Sequence, residues 1–274
     1  MTKALLADRP PLFDATISYG APDQKAVFYP TDRARSVMPM VEHVVPIHDM
    51  RPVRDTLSFD RNGFVLVDRP SAVRDFYDPA EVEAVYVPEI KALLRELTGA
   101  EEVITFGIMI RSDSGKTVDG SLPSFGAHID YGDRTVRDFS VSILGEERAE
   151  QLLRRRHFLI NLWRPIRMVE RSPLAVVDAS TVARQDLNDS EVRGGLGDPD
   201  RAPLYGFMLQ HNPDHRWFHA PAMTPAEILA FKLYDSDPQK TQLTGHTAFT
   251  DPTAASDAPP RESIEIRTVS FMPE

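Results

Sequence analysis

The sequence predicts a mainly β protein with flanking helices, built as a barrel or a sandwich. Proline is frequent, with 23 residues against 14 glycines in a chain of 274, which indicates many fixed turns and few long helices. The second half of the chain is a series of short apolar segments separated by turn-rich stretches. This arrangement favours a barrel or a sandwich over alternating βαβ units.

Helical periodicity is clear in one segment of the first half. Pro79 near its start, apolar residues at helical spacing and Gly99 as a C-cap predict a helix over 79–98. A second helix is predicted over 140–156, outside the sheet. Strands are predicted over the segments 64–67, 101–110, 157–165, 173–181, 204–210, 228–234 and 263–271.

The chain shows no internal repeat, low-complexity tract or linker, so we expect residues 1–274 to form one domain. Residues 1–60 are rich in Pro, Asp and Arg and contain only short apolar islands. We expect them to form an extended N-terminal arm that packs on the core.

Charge and composition argue against several classes of partner. With 31 Lys and Arg against 41 Asp and Glu, the net charge of −10 repels nucleic acid and anionic membranes. The basic run 154–156 is interpreted as a solvated helix end. No segment approaches the roughly 18 apolar residues of a membrane helix. The absence of cysteine rules out thiol chemistry and, with the lack of a signal peptide, fits a cytoplasmic protein.

His128 and Asp130 form an H-x-D pair that has no obvious structural purpose. On an extended strand, residues i and i+2 point to the same face about 7 Å apart, so both side chains can converge on one ion. A second histidine would complete a 2-His-1-carboxylate triad, which suits non-haem Fe(II). We expect His246 to be that ligand. The alternative is a hydrogen-bonded pair in a surface loop, which is common for such a tripeptide.

A competing histidine cluster is formed by His211, His215 and His219, which have the spacing of one helix face. Pro213 falls inside this run and Pro221 ends it, so a helix is not expected there. These residues are interpreted as ordinary hydrogen-bonded or surface histidines.

Arg261 and Ser263 share one face of a predicted strand. An arginine with a serine two residues later can hold a carboxylate through a bidentate fork and a hydroxyl, as a dicarboxylate co-substrate would require. Arg267 is six residues further, about 20 Å along an extended strand, so it cannot reach the same carboxylate. We prefer Arg261, which is nearer His246, as the anchor. Arg267 is left as a packing, surface or pocket residue.

Asn161 and Trp163 share a face of the predicted strand 157–165. Asn161 is expected to contact the co-substrate and Trp163 to line the pocket. The alternative is a buried asparagine satisfied by backbone beside a core tryptophan. Tyr131 either hydrogen-bonds within the site or packs. Substrate specificity is expected to lie in the N-terminal arm and in two loops, 112–124 and 182–203, and the polar loop 111–121 is a candidate lid.

The motifs H-I-D-Y, N-L-W-R-P, H-N-P-D-H-R-W, F-K-L-Y-D-S, H-T-A-F and P-R-E-S-I-E-I-R occur in this order. In this pattern, over about residues 60–271, the chain resembles the family of fungal gibberellin desaturases and proteins related to the cephem methoxylase, oxidoreductases of natural-product pathways. The resemblance implies a double-stranded β-helix (jelly-roll, cupin-like) core. It also implies an oxygenase that uses Fe(II), 2-oxoglutarate and O2. His128, Asp130 and His246 match the family's metal ligands, and Arg261 with Ser263 matches its 2-oxoglutarate element.

The sequence therefore predicts a dioxygenase that hydroxylates or desaturates a small organic molecule in natural-product metabolism. Two alternatives remain open. One is a non-catalytic β-barrel that binds a small acid through Arg261 without a metal. The other is a metal-dependent hydrolase in which the same triad polarises water.

Overall fold

Fourteen strands in two sheets make up most of the computed structural model, which describes residues 10–30, 32–114, 121–131, 133–194 and 203–274. The strands are β1 (Phe13–Gly20), β2 (Ala26–Phe28), β3 (Met40–Asp49), β4 (Phe64–Asp68), β5 (Glu102–Ser112), β6 (His128–Ile129), β7 (His157–Pro165), β8 (Leu174–Val177), β9 (Leu187–Val192), β10 (Leu204–Leu209), β11 (Trp217–His219), β12 (Glu227–Asp235), β13 (His246–Ala248) and β14 (Glu262–Phe271). The prediction of a mainly β protein is confirmed.

The smaller sheet has the strand order β4-β12-β7-β14-β5, and every neighbouring pair is antiparallel. Strand β7 lies at its centre and is buried at every position. Ile160 and Leu162 point outward into the apolar layer under a helix, together with Ile264 of β14. Because side chains alternate along a strand, Asn161 and Trp163 point to the opposite face, toward the larger sheet.

The larger sheet has the order β1-β3-β11-β8-β13-β6-β10-β9-β2. Strands β1 and β3 pair along their whole length at one edge, and β2 lies at the other edge. The residues assigned to an arm by the sequence therefore supply strands to this sheet. Ala15, Ile17 and Tyr19 of β1 are buried in an apolar cluster with residues of β8 and β11. A single domain over the whole chain stays a prediction.

Helices cover the outer face of the smaller sheet and one end of the larger sheet. Helix α1 (Val87–Thr98) is preceded by the turn Pro79–Glu81 and a π-helical turn, Val82–Tyr86. The side chain of Asp78 accepts a hydrogen bond from the backbone of Ala80, and Gly99 ends the helix with a φ of 73°. The helix predicted over 79–98 is therefore confirmed.

The single helix predicted over 140–156 is wrong in its bounds. The structure has two helices there, α2 (Asp133–Leu144) and α3 (Glu146–Leu153). They meet at Gly145, whose φ of 76° cannot continue an α-helix. No helix in the described part of the chain is long and apolar enough to cross a membrane.

All seven predicted strands are present, with one shortened. The strand predicted over 173–181 ends at Val177 because the side chain of Asp178 accepts hydrogen bonds from the backbone and hydroxyl of Ser180. These bonds begin the 3-10 turn Ala179–Thr181. Part of the predicted loop 182–203 forms β9, and residues 195–202 lie outside the described residues.

Candidate metal and co-substrate site

His128, Asp130 and His246 converge at the meeting point of β6 and β13. These strands pair with His246 directly opposite His128. Nε2 of His128 lies 3.4 Å from Oδ1 of Asp130, and Nε2 of His246 lies 3.7 Å from Oδ2 of the same carboxylate. One ligand atom from each residue lies within 4.8 Å of the others, a distance that one metal ion can bridge. In the described part of the chain, this is the only such group of His, Asp and Glu residues.

The protonation of His246 and Asp130 suits a divalent metal. Burial, followed by the neighbouring His128, lowers the pKa of His246 to about 3, so this imidazole is neutral near pH 7. Burial alone would raise the pKa of Asp130, but the positive charge of Arg267 and the neighbouring His128 hold this pKa well below its usual range. A neutral imidazole and an ionised carboxylate are the forms that bind metal ions.

His128 is also oriented for this role by its second ring nitrogen. Nδ1 lies 2.6 Å from the carbonyl oxygen of Gly126, so this nitrogen carries the proton and donates it. Nε2 is then left with its lone pair facing Asp130. A ligand histidine fixed through its other nitrogen is typical of metal sites. Two imidazoles and one carboxylate with this arrangement fit the donor set of non-haem Fe(II).

A second set of polar groups surrounds Arg261. The side chain is buried, its guanidinium carbon lies 5.6 Å from the centre of the Trp163 ring, and it donates one hydrogen bond to the carbonyl of Ser172 at 2.7 Å. Nε of Arg261, Oγ of Ser263 and Nε1 of Trp163 are buried and have no hydrogen-bond partner among the described residues. Burial lowers the pKa of Arg261 to about 9. This cationic cluster of donors therefore lacks an anionic acceptor, which a ligand carboxylate would supply.

Asn161 connects these two groups of residues. Its amide nitrogen donates to Oδ2 of Asp130 at 2.7 Å, while Trp163, two positions further on the same face of β7, contacts Arg261. The inner face of β7 thus extends from the triad to the arginine pocket. The amide nitrogen of Asn161 also donates to Oε1 of Glu265, at 3.3 Å.

Arg267 lies beside the triad, and 16% of its side chain is exposed. Its Nε donates to Glu265 at 2.9 Å, and its terminal nitrogen lies 3.7 Å from Oδ1 of Asp130. Burial opposes its charge, but Tyr131, Asp130 and Glu265 together raise the pKa of Arg267. No role was predicted for Glu265, because a strand pattern does not show which residue lies opposite it.

Tyr131 both packs and carries a buried polar group. Its ring makes edge contacts with Phe106 and Phe139, at centroid distances of 5.5 and 5.4 Å. Its hydroxyl is buried without a hydrogen-bond partner among the described residues, and burial raises its pKa well above the usual value. The hydroxyl therefore faces the site as a neutral group.

His211, His215 and His219 do not converge on a common point. The ring of His211 stacks on His43 at 3.9 Å, and Nε2 of His215 lies 3.2 Å from Asp186. His219 packs against Phe13 and Phe249. Their interpretation as ordinary histidines agrees with these contacts.

The candidate lid begins at a closed base but is described only in part. The backbone N–H of Ser112 donates to the carbonyl of Ser121 at 3.1 Å, and residues 115–120 between them lie outside the described residues. Beyond this base, Leu122 and Phe125 are exposed at 43% and 42% beside the segment that leads into His128. These exposed apolar side chains precede His128 by six and three residues in the chain.

Comparison with known proteins gives consistent results. Residues 17–271 match the family described as an oxidoreductase/YMDC permease-like domain. The chain is 30% identical over 235 residues to the Fe(II)/2-oxoglutarate-dependent dioxygenase nvfI of Aspergillus novofumigatus, which covers 84% of this chain and 83% of the relative. It is 30% identical over 256 residues to the hydroxylase/desaturase efuI of Hormonema carpetanum, with 83% of each chain covered.

A solved structure of the iron and α-ketoglutarate-dependent endoperoxidase NvfI superposes with a TM-score of 0.83 at 26% identity, covering 96% of this chain and 98% of the other. The jelly-roll core and the resemblance noted in the sequence are therefore confirmed. The chain belongs to this family of oxidoreductases, whose relatives include Fe(II)/2-oxoglutarate-dependent dioxygenases and hydroxylase/desaturases.

Proposed function

We propose that His128, Asp130 and His246 hold Fe(II), and that Arg261 and Ser263 hold the distal carboxylate of 2-oxoglutarate. Membership of the family makes the chain an oxidoreductase dependent on Fe(II), 2-oxoglutarate and O2, of the hydroxylase/desaturase type found in secondary metabolism. One observation carries the assignment of residues. On the inner face of the smaller sheet, Asn161 contacts the site where three ligand atoms converge. The same face leads to a buried cluster of donors that have no acceptor.

Arg261 is suited to orient a dicarboxylate. A guanidinium presents parallel N–H groups that match a carboxylate, and Ser263 adds a hydroxyl donor on the same strand face. Burial makes this interaction strong, because water does not compete for either partner. Nε1 of Trp163 is a third donor toward the same space, and the indole ring forms one wall.

On the side of His246, the triad has apolar neighbours. The ring of Phe231 lies 4.6 Å from that of His246, and Leu229 and Trp163 pack in the same apolar cluster. When bound, iron supplies the activation of O2 that is coupled to decarboxylation of 2-oxoglutarate. The surrounding side chains exclude water and hold the reactants in place.

The substrate is a small organic molecule. The exposed apolar residues Leu122 and Phe125, which precede His128 in the chain, support an apolar portion in this substrate. A cytoplasmic location and the lack of nucleic-acid or membrane partners stay predictions from composition.

The experiment that tests this proposal measures iron content, O2 consumption and succinate formation on the purified protein supplied with Fe(II) and 2-oxoglutarate. We expect slow succinate formation even without substrate, dependent on both iron and O2. His128→Ala should abolish it, while His211→Ala, which removes a histidine outside the triad, should not.

Other outcomes identify the alternatives. A protein that binds 2-oxoglutarate but no iron would be an acid-binding barrel. A protein that binds a divalent metal and acts without O2 would use the triad for hydrolysis. Either result would overturn the proposal.

A further inference from the structure

We propose that Asn161 is a positioning residue that fixes the carboxylate of Asp130 for metal binding, supported by Glu265 and Arg267. This inference rests on the proposed role of Asp130 as a metal ligand. The three ligand residues alone do not explain the buried amide of Asn161 or the ion pair of Arg267 with Glu265, and the inference gives both a function.

The hydrogen-bonding capacity of Asn161 determines how its side chain acts. The residue is fully buried, and its amide nitrogen donates to Oδ2 of Asp130 at 2.7 Å and to Oε1 of Glu265 at 3.3 Å. An amide nitrogen has two hydrogens, and carboxylates near pH 7 only accept, so the nitrogen must face both acids. Both hydrogens are then used. No donor is left for 2-oxoglutarate, whose oxygens are also acceptors.

The ion pair beside Asn161 approaches the other oxygen of Asp130. Arg267 donates from Nε to Glu265 at 2.9 Å, and its terminal nitrogen lies 3.7 Å from Oδ1 of Asp130. At this distance the second contact is electrostatic and not a hydrogen bond. The charge of Arg267 offsets that of Glu265, so the negative charge of Asp130 remains for the metal.

The backbone explains why Asp130 needs this support. Strand β6 contains only His128 and Ile129, so Asp130 lies just beyond it and outside the strand pairing. Asn161 and Arg267 are register partners on β7 and β14, and each of these strands is paired on both sides. The rigid centre of the smaller sheet therefore orients a ligand carried by an irregular segment of the larger one.

The test is the affinity of the full-length protein for Co(II) and Fe(II), measured without oxygen by competition with a chelating dye. Asn161→Leu removes the donors and keeps the branched shape of the side chain, and Asn161→Ala is a second variant if the larger leucine does not fit. We expect metal binding about 10- to 100-fold weaker, as is usual when a hydrogen bond to a ligand is removed. We also expect a changed visible spectrum of the Co(II) protein at saturation.

A matched control separates positioning from general stability. Asn62 is another buried asparagine whose amide donates to a buried aspartate, Asp178, at 3.1 Å, and this aspartate is not one of the three ligand residues. Asn62→Leu should lower the unfolding temperature of the metal-free protein but leave the Co(II) affinity and spectrum unchanged.

Two outcomes overturn the inference, and they are distinguishable. If His128→Ala loses Co(II) binding but Asn161→Leu and Asn161→Ala bind Co(II) with wild-type affinity and spectrum, the positioning role is wrong and the proposed metal site stands. If His128→Ala binds Co(II) as the wild type does, the metal site itself is wrong.

Discussion

The guanidinium of Arg261 lies over the indole ring of Trp163, 5.6 Å from its centre, and each of these side chains has a buried N–H without a partner among the described residues. Leaving a buried donor unsatisfied costs about 1–3 kcal/mol, and more for a charged group. Both groups are therefore prepared for an acceptor that a bound molecule brings. A carboxylate satisfies both donors, together with the hydroxyl of Ser263.

Arg261→Lys should keep the positive charge but remove the forked pair of donors. Loss of one partner from a buried charged pair costs about 2–5 kcal/mol, so we expect 2-oxoglutarate to bind the Fe(II)-loaded protein about 100-fold more weakly. Anaerobic calorimetry measures this change. Arg171→Lys is the control, because Arg171 is a neighbouring, partly exposed arginine that pairs with Asp113. Unchanged affinity in Arg261→Lys would transfer the anchoring role to Arg267.

The two tryptophans of the chain allow an independent test of the same pocket. Trp163 borders the arginine pocket, whereas Nε1 of Trp217 already donates to the hydroxyl of Tyr19 at 2.6 Å. We expect 2-oxoglutarate binding to change the fluorescence of Trp163 alone. Trp217→Phe should keep the signal, and Trp163→Phe should remove it and weaken binding about 10-fold by loss of one hydrogen bond to a charged group. A signal that survives in Trp163→Phe would place the co-substrate elsewhere.

Gly206 is required because β10 passes very close to the ligand segment. A Cβ atom at this position would lie 2.4 Å from the carbonyl oxygen of Ile129 and 2.7 Å from that of Asp130. Gly206→Ala must displace the backbone that carries His128 and Asp130, so we expect lower thermal stability together with weaker metal binding. Gly145→Ala strains a turn with a φ of 76° that has open space around it, and should lower stability only. Wild-type metal affinity in Gly206→Ala would show that the segment tolerates the shift.

His219 should make the stability of the metal-free protein depend on pH. Burial lowers its pKa to about 4, although Asp251 and Asp49 oppose this shift. The unfolded value is about 6.5, so as pH falls below 6.5 the unfolded state gains a proton that the folded state does not accept. Stability is therefore fully present above pH 6.5 and is lost toward pH 4. The loss is about 1.4 kcal/mol for each pH unit.

Denaturant unfolding at pH 7 and pH 5 measures this dependence. His219→Leu removes the titrating group, and the difference between the two pH values should then be smaller by about 2 kcal/mol than in the wild type. An equal pH dependence in both proteins would show that His219 accepts a proton in the folded state.

The residues proposed as metal ligands and as co-substrate anchor could be singled out in the sequence because their signals are local. On an extended segment, residues two positions apart share a face. This spacing indicates a shared face for the H-x-D pair, and likewise for the arginine and the serine two positions after it. The distal His246 followed from the chemistry of the triad and from the order of motifs. The long strands β7, β12 and β14 were equally visible, since each spans enough residues for a pattern.

Other features depend on contacts that no local pattern contains. The role of Asn161 follows from the register of β7 against β14 and from the position of Asp130 in the opposite sheet. Strands β6, β11 and β13 have only two or three residues, which is too short for alternation to be recognised. In β1, the alternation of Ala15, Ile17 and Tyr19 was present but was outweighed by the polar composition around it.

Fe(II) and 2-oxoglutarate are proposed to bind together, at the triad and at Arg261. The most direct test of this proposal is an anaerobic titration of the metal-free protein with Fe(II) and 2-oxoglutarate, followed by visible absorbance. We predict a charge-transfer band that requires both components, that is lost in His128→Ala and that needs much higher 2-oxoglutarate in Arg261→Lys. If iron and 2-oxoglutarate give no band with the wild-type protein, or the same band with His128→Ala, the proposed site is wrong.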